Sequence, residues 1–382
     1  MPTKFDLGDI PFYWRTKAFP DQEPNDIPSR LPFAFAFDEK LQLVVQSRNT
    51  SMLDWLERVY KENANVGYLQ EGHALAASYG GEFIDFFERA SALLSQPPKC
   101  AADIGCGGVY LLQRVRERGL SVKGIDPSPI TAAAGLKAGI EIVTDFYPSP
   151  SLEERFDVLF HYDVLEHVDD PVAFLRAHHR NLSANGAIIF AVPDCSRHIQ
   201  LGDVSMILHE HLNYFDTDSL DRVVRAAGFR PLLLEPAKHG GVILCCAVAA
   251  GGDSSHESLN NGGAETFNTF CDRANYALDS FAAVAKLAEG RDLGLYIPLR
   301  AFPYLSLLPN DQKLRFFDDD PGLHGRYYDG FDVPVENRAD LVAKPPAHLI
   351  VCSHAFGDRI VEKLPRDISI TKWIDLFPSE EG

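Results

Sequence analysis

A glycine-rich turn between two apolar runs is the feature that most constrains this chain. The turn, D-I-G-C-G-G, covers residues 103–108 and follows the apolar residues 101–102. An amphipathic segment comes next, over 109–118, and a second apolar run over 122–125 ends at Asp126. This order predicts a strand, a helix and a second strand. Together they form the first βαβ unit of an open parallel sheet.

The turn also indicates what kind of ligand the sheet binds. Glycine allows the backbone to bend sharply and to approach a ligand where a Cβ atom would clash. Asp126, at the end of the second strand, is placed to accept hydrogen bonds from ribose hydroxyls. The dinucleotide fingerprint requires a third glycine where this chain has Tyr110. The pattern therefore favours a ribose-containing ligand other than a dinucleotide.

The α/β alternation continues beyond this unit. The spacing of apolar residues predicts helices over 128–137 and 171–181, and strands over 140–143, 155–160 and 187–192. Ligands of open α/β sheets collect at the carboxyl ends of the strands. The candidate residues that follow the third and fourth strands are Asp145, Phe146, His161 and Asp163.

Two motifs together resemble a known family. D-I-G-C-G-G and the run F-D-V-L-F-H-Y-D-V-L-E-H-V-D-D-P, at 156–171, are similar to motifs of the class I S-adenosylmethionine-dependent methyltransferases. The resemblance implies a Rossmann-like α/β domain with S-adenosyl-L-methionine as cofactor. In that family the turn holds the amino-acid end of the cofactor and the acid after the second strand holds the ribose. The implied cofactor-binding residues are Asp103, Gly105, Cys106, Gly107, Asp126, Pro127, Asp145, Phe146, His161 and Asp163.

A second resemblance concerns the acceptor. H-E-H-L-N-Y-F at 209–215 and H-G-G at 239–241 look like motifs of the deoxysugar C-methyltransferases, which methylate a carbon beside the ketone of a nucleotide-linked keto sugar. Such a carbon becomes nucleophilic only after it loses a proton, and histidine is the usual base near neutral pH. The resemblance implies His211 as the base, Glu210 as the adjoining carboxylate and His239 as a contact to the sugar or enolate.

The chain also departs from that family, and the departures leave alternatives open. Leu208 stands where the family has tyrosine, and no cysteine precedes Cys100, so the N-terminal zinc-binding cysteines are absent. One alternative is methylation of oxygen or nitrogen with the same base. Another is a protein that binds S-adenosylmethionine without catalysis. A third is a metal site that joins His209 and His211 to Glu210 or Asp163, although no metal is predicted.

The length of 382 residues suggests two or three domains. The predicted division is an N-terminal segment of uncertain fold over 1–75, a methyltransferase domain over 76–250, a linker over 251–263 and a C-terminal domain over 264–382. The run D-D-D-P-G-L-H-G-R-Y-Y-D-G, at 318–330, resembles the C-terminal domain of the deoxysugar family. That resemblance implies a second, smaller Rossmann-like domain that helps to hold a nucleotide-sugar.

Composition excludes several other partners. The net charge of −18 argues against nucleic acid and against an anionic membrane surface, because both require a basic surface. No apolar run reaches the length of a spanning helix, and the N-terminus does not resemble a signal peptide. Seven scattered cysteines favour reduced thiols in the cytoplasm. The predicted partner is a small-molecule acceptor, a nucleotide-sugar if the second resemblance holds, and the oligomeric state is not predicted.

Overall fold

The computed structural model describes residues 4–12, 16–19, 28–61, 74–251, 263–309 and 311–378. Its strands, in chain order, are β1 (Lys4–Pro11), β2 (Thr16–Lys17), β3 (Arg30–Asp38), β4 (Leu43–Gln46), β5 (Cys100–Ile104), β6 (Ser121–Ile125), β7 (Glu141–Val143), β8 (Phe156–Tyr162), β9 (Leu182–Pro193), β10 (Asn213–Tyr214), β11 (Phe229–Pro236), β12 (Val242–Ala249), β13 (Asp292–Tyr296), β14 (Lys313–Phe317), β15 (Tyr327–Tyr328), β16 (Val335–Glu336), β17 (His348–Val351) and β18 (Ile370–Lys372).

The α-helices are α1 (Thr50–Lys61), α2 (Ala74–Ser91), α3 (Tyr110–Glu117), α4 (Pro129–Ala138), α5 (Pro171–Asn181), α6 (Ser196–Leu201), α7 (Thr217–Ala226), α8 (Gly263–Ala285), α9 (Arg338–Ala343) and α10 (Gly357–Val361). Short 3-10 segments lie at Leu165–His167, Val204–Met206, Lys286–Ala288, Pro298–Leu307 and Trp373–Leu376. Among the described helices, none combines the length and the apolar character that crossing a lipid bilayer would require.

One compact unit comprises Phe37–Ser196 and Glu210–Gly263. It contains a seven-stranded sheet in the order β11-β12-β9-β8-β5-β6-β7. The five strands from β5 to β9 are parallel, whereas β12 runs antiparallel to both β9 and β11. The predicted Rossmann-like α/β fold is confirmed by this topology.

The order of the strands locates the crevice of this sheet. Strands β5 and β8 are neighbours although β6 and β7 come between them in the chain. The winding therefore reverses between β5 and β8, and ligands of open α/β sheets bind outside the carboxyl ends at such a reversal. The glycine turn follows β5 and Asp163 follows β8, so both lie at this point.

Successive side chains of a strand point to opposite faces of the sheet, so the buried strands contribute to a core layer on each face. On one face of β8, Phe160 packs edge-on against Phe87 of α2, with ring centroids 5.6 Å apart. On the other face, Leu159 joins the cluster that contains Leu175 of α5. The N-terminus of α5 is capped by Asp170, whose carboxylate accepts the Ala173 N–H.

Most elements of this unit follow the predicted pattern. Helix α5 has the predicted bounds, and strand β8 begins one residue after its predicted start at 155. Strand β9 begins at Leu182, five residues before the predicted start at 187. Its first part contains Ser183 and Asn185, and these polar residues interrupt the apolar run that marks a buried strand.

The other compact unit comprises Met1–Ala36, Arg197–His209 and Ala264–Gly382. Its five-stranded sheet has the order β16-β14-β13-β17-β18, with parallel pairing throughout. This is the second α/β sheet that the sequence predicts after residue 264. The grouping differs from the predicted linear division, because this unit also includes 1–36 and 197–209.

A buried carboxylate connects several segments of this second unit. Asp203 is fully buried and accepts hydrogen bonds from five donor atoms. The donors are Ser205 N and Oγ, both at 2.8 Å, Tyr304 Oη at 2.9 Å, His354 Nε2 at 2.7 Å and Trp373 Nε1 at 3.0 Å. One side chain thus links residues that are far apart in the chain.

Candidate active site

The glycine turn has backbone geometry that other residues adopt only with strain. Gly105 and Gly107 have φ angles of 67° and 57°, in the left-handed region. A Cβ atom on Gly105 would also lie 3.0 Å from Cγ2 of Val164. A Cβ atom on Gly108 would meet nothing within 4 Å. The turn is therefore closed on the side of Val164 and open at Gly108, where a ligand can approach the backbone.

Asp126 holds this turn in place. Its Oδ2 accepts the Gly107 N–H and its Oδ1 accepts the Ser128 N–H, each at 2.8 Å. Burial raises the pKa of the Asp126 carboxyl, while these backbone hydrogen bonds act in the opposite direction. The carboxylate joins the turn to the start of α4, with the half-buried Pro127 between them. Each oxygen keeps a second lone pair, so the predicted contact to ribose remains compatible with this clamp.

Asp103 lies at the end of β5, just before the turn. The residue is 1% exposed, and its Oδ2 accepts no hydrogen bond. Burial, and then the charge of Asp126, raise the pKa of the Asp103 carboxyl well above its usual range. A buried carboxylate oxygen without a donor is costly, and a cationic ligand group would relieve that cost. This unpartnered acceptor oxygen therefore fits the amino group of an amino acid.

Cys106 has a different position from the glycines beside it. Its Sγ lies 2.9 Å from the point where a Cβ atom of Gly124 would be. The thiol therefore packs against β6, and the residue takes part in the turn through its backbone. Burial raises the pKa of the Cys106 thiol well above its usual value. A thiol of this kind is unreactive.

Asp145 and Phe146 follow β7 at the same edge of the sheet. Asp145 Oδ1 accepts the Phe146 N–H at 2.8 Å, and its Oδ2 accepts the Ser149 hydroxyl at 2.5 Å. Phe146 is 40% exposed, so one face of its ring is open to a ligand. An exposed aromatic face next to a fixed carboxylate suits a flat heterocycle with an amino group.

His161 does not lie where a cofactor contact requires it. Its ring is fully buried, stacks on Phe190 with centroids 4.7 Å apart, and faces the edge of Phe174. Neither ring nitrogen has a hydrogen-bond partner, and burial lowers the pKa of the imidazole well below its usual value. Side chains alternate along a strand, so Tyr162 points to the opposite face from His161. The structure places His161 in the core on the α5 side.

Asp163 ends the same strand in an unusual conformation. Its φ angle is 55°, in the left-handed region that non-glycine residues rarely occupy. The residue is exposed to solvent. The surrounding protein nevertheless reduces the hydration of the carboxylate, and this desolvation raises the pKa of Asp163. Strained residues of this kind are found at functional sites. Asp163 therefore remains a candidate site residue.

The predicted Glu210 and His211 lie next to the 3-10 segment Leu165–His167. The Leu212 N–H donates to the Glu166 carbonyl at 2.7 Å. His167 Nδ1 lies 2.9 Å from the Glu210 carbonyl, and the His167 and His211 rings meet edge to face with centroids 4.9 Å apart. Glu166 and His167 are site residues that were not predicted individually from the sequence. Both lie inside the 156–171 run, which was the available signal.

Arg48 holds the segment that contains His211 against the segment that contains Glu166. Its Nη1 donates to the carbonyls of Leu212 at 2.7 Å and Gln46 at 2.9 Å, and its Nε pairs with Asp169 at 2.7 Å. Asn213 Nδ2 donates to the Val168 carbonyl at 2.8 Å. The segment that carries His211 is therefore bound along its backbone to the segment that carries Glu166.

Electrostatics distinguish the members of this group. Glu166 is 1% exposed, and neither carboxylate oxygen accepts a hydrogen bond. Burial, and then the charges of Asp163 and Glu210, raise the pKa of Glu166 well above its usual range. Burial lowers the pKa of His167 to about 4, so this ring is neutral near pH 7. Side-chain ligand atoms of Glu166, His167 and His211 all lie within 4.8 Å of one another, so these residues could hold a metal ion.

His239 has its own neighbours on α2. Its ring stacks on Tyr79, with centroids 3.9 Å apart, and its Nδ1 accepts the Gly241 N–H at 3.1 Å. Its Nε2 lies 4.0 Å from a carboxylate oxygen of Glu82. Burial lowers the pKa of His239, while Glu82 acts in the opposite direction.

Tyr162 is an electrostatic neighbour both of the residues around His239 and of the carboxylates that follow β8. Burial raises the pKa of its phenol, and the nearby charges of Asp163, Tyr79, Glu166 and Glu82 raise it further. The His239 group and the Glu166 group are therefore electrostatic neighbours at one edge of the sheet.

His209 does not join them. It belongs to the second compact unit, where its Nε2 lies 3.1 Å from the Leu31 carbonyl. Its ring, 3% exposed, packs edge-on against Phe12 and Phe33. The metal alternative that pairs His209 with His211 is therefore not the grouping found in the described residues.

Part of this chain is similar to known proteins. A family model described as "Methyltransferase domain" matches residues 75–234. Ubiquinone biosynthesis O-methyltransferases of Pseudomonas entomophila (strain L48) and Pseudomonas putida (strain W619) are 32% and 33% identical over 101 residues, 24% of this chain and 44% of each relative. The chain thus spans less than half the length of these curated relatives.

Two solved structures to which part of this chain is similar are those of methyltransferases. The 1,6-didemethyltoxoflavin-N1-methyltransferase of Burkholderia thailandensis, bound to 1,6-didemethyltoxoflavin and S-adenosylhomocysteine, is 18% identical with a TM-score of 0.41, covering 57% of this chain and 96% of that one. An S-adenosylmethionine-dependent methyltransferase of Clostridium acetobutylicum is 11% identical with a TM-score of 0.40, covering 48% and 96%.

Proposed function

We propose that residues 75–234, which match the methyltransferase-domain model, form an S-adenosylmethionine-dependent methyltransferase domain, and that the chain methylates a small-molecule acceptor. The observation that carries the proposal is the glycine turn, clamped by Asp126 at the reversal point of the parallel sheet. That turn presents an open backbone face at Gly108. The charge of −18 and the seven free thiols support the predicted cytoplasmic location and the absence of nucleic-acid partners.

The cofactor-binding residues are proposed along the carboxyl edge from β5 to β7. The unpartnered Oδ2 of Asp103 suits the amino group of the cofactor, and Asp126 suits its ribose. The exposed Phe146 ring, beside Asp145, suits its adenine. When bound, S-adenosylmethionine supplies an electrophilic methyl group on a sulfonium sulfur.

Acceptor activation is proposed at the Glu166, His167 and His211 cluster. An acceptor carbon or oxygen must lose a proton before its electron pair can attack the methyl carbon. The electron pair of the broken carbon–sulfur bond then stays on sulfur, which yields S-adenosylhomocysteine. The cluster lies next to Asp163, at the reversal point where the cofactor is proposed to bind. Positioning of the two reactants supplies much of the rate of such a transfer.

The finer proposal is C-methylation of a nucleotide-linked keto sugar, with His211 as the predicted base, Glu210 as its adjoining carboxylate and His239 as a contact to the sugar. It is supported by the resemblance of the H-E-H and H-G-G motifs, and by the stacking of His239 on Tyr79, which like Glu166 acts electrostatically on Tyr162. A second candidate is O-methylation, which the names of the curated relatives favour. Both reactions need the same loss of a proton from the acceptor.

Calorimetric titration of the full chain with S-adenosylhomocysteine tests the proposal. We expect one binding site per chain. Thymidine diphosphate is then titrated into the same complex, and release of S-adenosylhomocysteine from S-adenosylmethionine is measured with a thymidine-diphosphate-linked keto sugar and with a catechol. Turnover of the keto sugar supports C-methylation, and turnover of the catechol supports O-methylation. Binding without turnover of a wider acceptor panel would favour a non-catalytic protein, and no binding would contradict the proposal.

Asp126→Ala is expected to weaken binding of S-adenosylhomocysteine by about 1–3 kcal/mol. The change leaves the buried N–H groups of Gly107 and Ser128 without an acceptor, at a cost of this size. The same titration measures it. The control is Asp157→Ala, which removes a hydrogen-bonded carboxylate near the start of β8 and should leave the affinity for S-adenosylhomocysteine unchanged. Unchanged affinity in Asp126→Ala, with the fold intact by circular dichroism, would remove Asp126 from the cofactor site.

A further inference from the structure

We propose that Glu166, His167 and His211 bind one divalent transition-metal ion, and that this ion binds the acceptor's oxygen during methyl transfer. Side-chain ligand atoms of the three residues lie within 4.8 Å of one another. The second part of this inference rests on the proposed function, whereas the ion site itself does not. It assigns His211 as a ligand, in place of the base predicted from the sequence.

Glu166 provides the first argument. Its side chain is almost completely buried, and both of its oxygens lack a hydrogen-bond donor. Buried carboxylates in proteins are normally paired with a cation, hydrogen-bonded, or bound to a metal. The basic nitrogen that faces this carboxylate is His167 Nε2, which lies 3.5 Å from Oε1. A cation between these two atoms would satisfy the carboxylate.

The orientation of His167 provides the second argument. A carbonyl oxygen can only accept, so His167 Nδ1 must carry the hydrogen that it donates to the Glu210 carbonyl at 2.9 Å. In the neutral ring the lone pair is then on Nε2, the atom that faces Glu166. Histidines that bind metals are oriented in this way, with the other ring nitrogen donating to a carbonyl or carboxylate.

The backbone around the cluster provides the third argument. The Leu212 N–H donates to the Glu166 carbonyl, and Arg48 binds the Leu212 carbonyl on the other side. These contacts hold His211 and Glu166 together without using either side chain. Metal–ligand bonds of about 2.0–2.2 Å place neighbouring ligand atoms about 3–3.5 Å apart. The 3.5 Å between Glu166 and His167 already meets this spacing, and the ligand atom of His211 lies within 4.8 Å of both.

The ligand types select the class of ion. Two imidazoles and one carboxylate favour divalent transition metals over magnesium and calcium, which prefer oxygen ligands alone. Three protein ligands also leave a coordination position open for an exogenous oxygen. A keto or hydroxyl oxygen bound there is polarised by the ion, which makes the acceptor proton more acidic. The proton then leaves to solvent, and the methyl transfer is otherwise as described above.

Cobalt(II) alone is the probe for this site. The full chain is treated with a chelator, transferred to metal-free buffer and titrated with cobalt(II), with calorimetry and visible absorption as readouts. We expect one ion per chain, with the absorption of nitrogen and oxygen ligands and without thiolate bands. Glu166→Gln and His211→Asn should each weaken binding at least about tenfold, because each removes one ligand.

The control is His179→Asn, a half-buried histidine of the same unit that lies outside the cluster and bonds the Ala227 carbonyl. Its affinity for cobalt(II) should equal that of the wild type. Circular dichroism checks that Glu166→Gln and His211→Asn are folded. No binding by the wild type, or equal affinity in all four proteins, would overturn the proposal.

Titration with S-adenosylhomocysteine in the presence of chelator separates this proposal from the function. Binding of S-adenosylhomocysteine without any cobalt(II) site would overturn the ion site and leave the methyltransferase proposal intact. A cobalt(II) site without S-adenosylhomocysteine binding would do the reverse. Turnover that survives complete removal of metal would overturn the role of the ion in the reaction.

Discussion

His211→Asn is expected to lower turnover by about 10²- to 10⁴-fold, the range that activation of the acceptor proton contributes. The substitution removes the imidazole that faces His167 and leaves the backbone contacts of Leu212 unchanged. The measurement is release of S-adenosylhomocysteine with the acceptor identified by the screen above. Affinity for S-adenosylhomocysteine should not change, because the glycine turn and Asp126 lie on other elements.

A control variant and the affinity for S-adenosylhomocysteine decide what a loss of turnover means. His179→Asn should keep wild-type turnover, since that ring stacks on Phe229 away from the site. Joint loss of turnover and cofactor affinity in His211→Asn would indicate damage to the fold or cofactor site rather than loss of acceptor activation. Undiminished turnover would exclude His211 from the chemistry altogether.

Asp203→Ala is expected to lower the free energy of unfolding of the second unit by about 3–5 kcal/mol, the cost of breaking a buried charged network by removing one partner. The change leaves the buried donors Tyr304, His354 and Trp373 without their acceptor. Urea unfolding followed by tryptophan fluorescence measures it. Asp367→Ala, at an exposed position of the same unit, should change stability by less than about 0.5 kcal/mol. Equal stability of the two variants would contradict the role assigned to Asp203.

The same network predicts a pH dependence. Burial acts to raise the pKa of Asp203, but the His354 hydrogen bond and the nearby His198 outweigh it and hold the pKa below its usual range. A carboxyl with a lowered native pKa stabilises the fold fully above its unfolded pKa of about 4. That stabilisation is lost as the pH falls below this value towards the native pKa. Wild-type stability should therefore fall more steeply below about pH 4 than that of Asp203→Ala.

Much of the fold could be predicted because its signals are local. The glycine turn and the period of apolar residues in α5 each depend on neighbours in the chain. The elements were therefore predicted with nearly the observed bounds. Strand β9 was predicted too short because its first residues, among them Ser183 and Asn185, carry polar side chains at the start of the pairing.

Local sequence patterns did not predict which side chains meet in the candidate site. A motif resemblance placed His161 in the cofactor site, but alternation along β8 turns its ring into the core against Phe190. His209 and His211 share one short motif, yet the structure assigns them to different compact units. Motif spacing reports which residues are near in the chain and not which way each side chain faces.

The α/β class, the order of the strands along the chain and the position of the glycine turn were all predictable from the amino-acid sequence, because helix and strand periods and glycine geometry act over a few residues. Only the tertiary structure brought Glu166 and His167 against Glu210 and His211. That contact depends on hydrogen bonds such as Leu212 N to the Glu166 carbonyl and on the clamp of Arg48. Residues more than forty positions apart meet through strand order and loop packing, which no local pattern encodes.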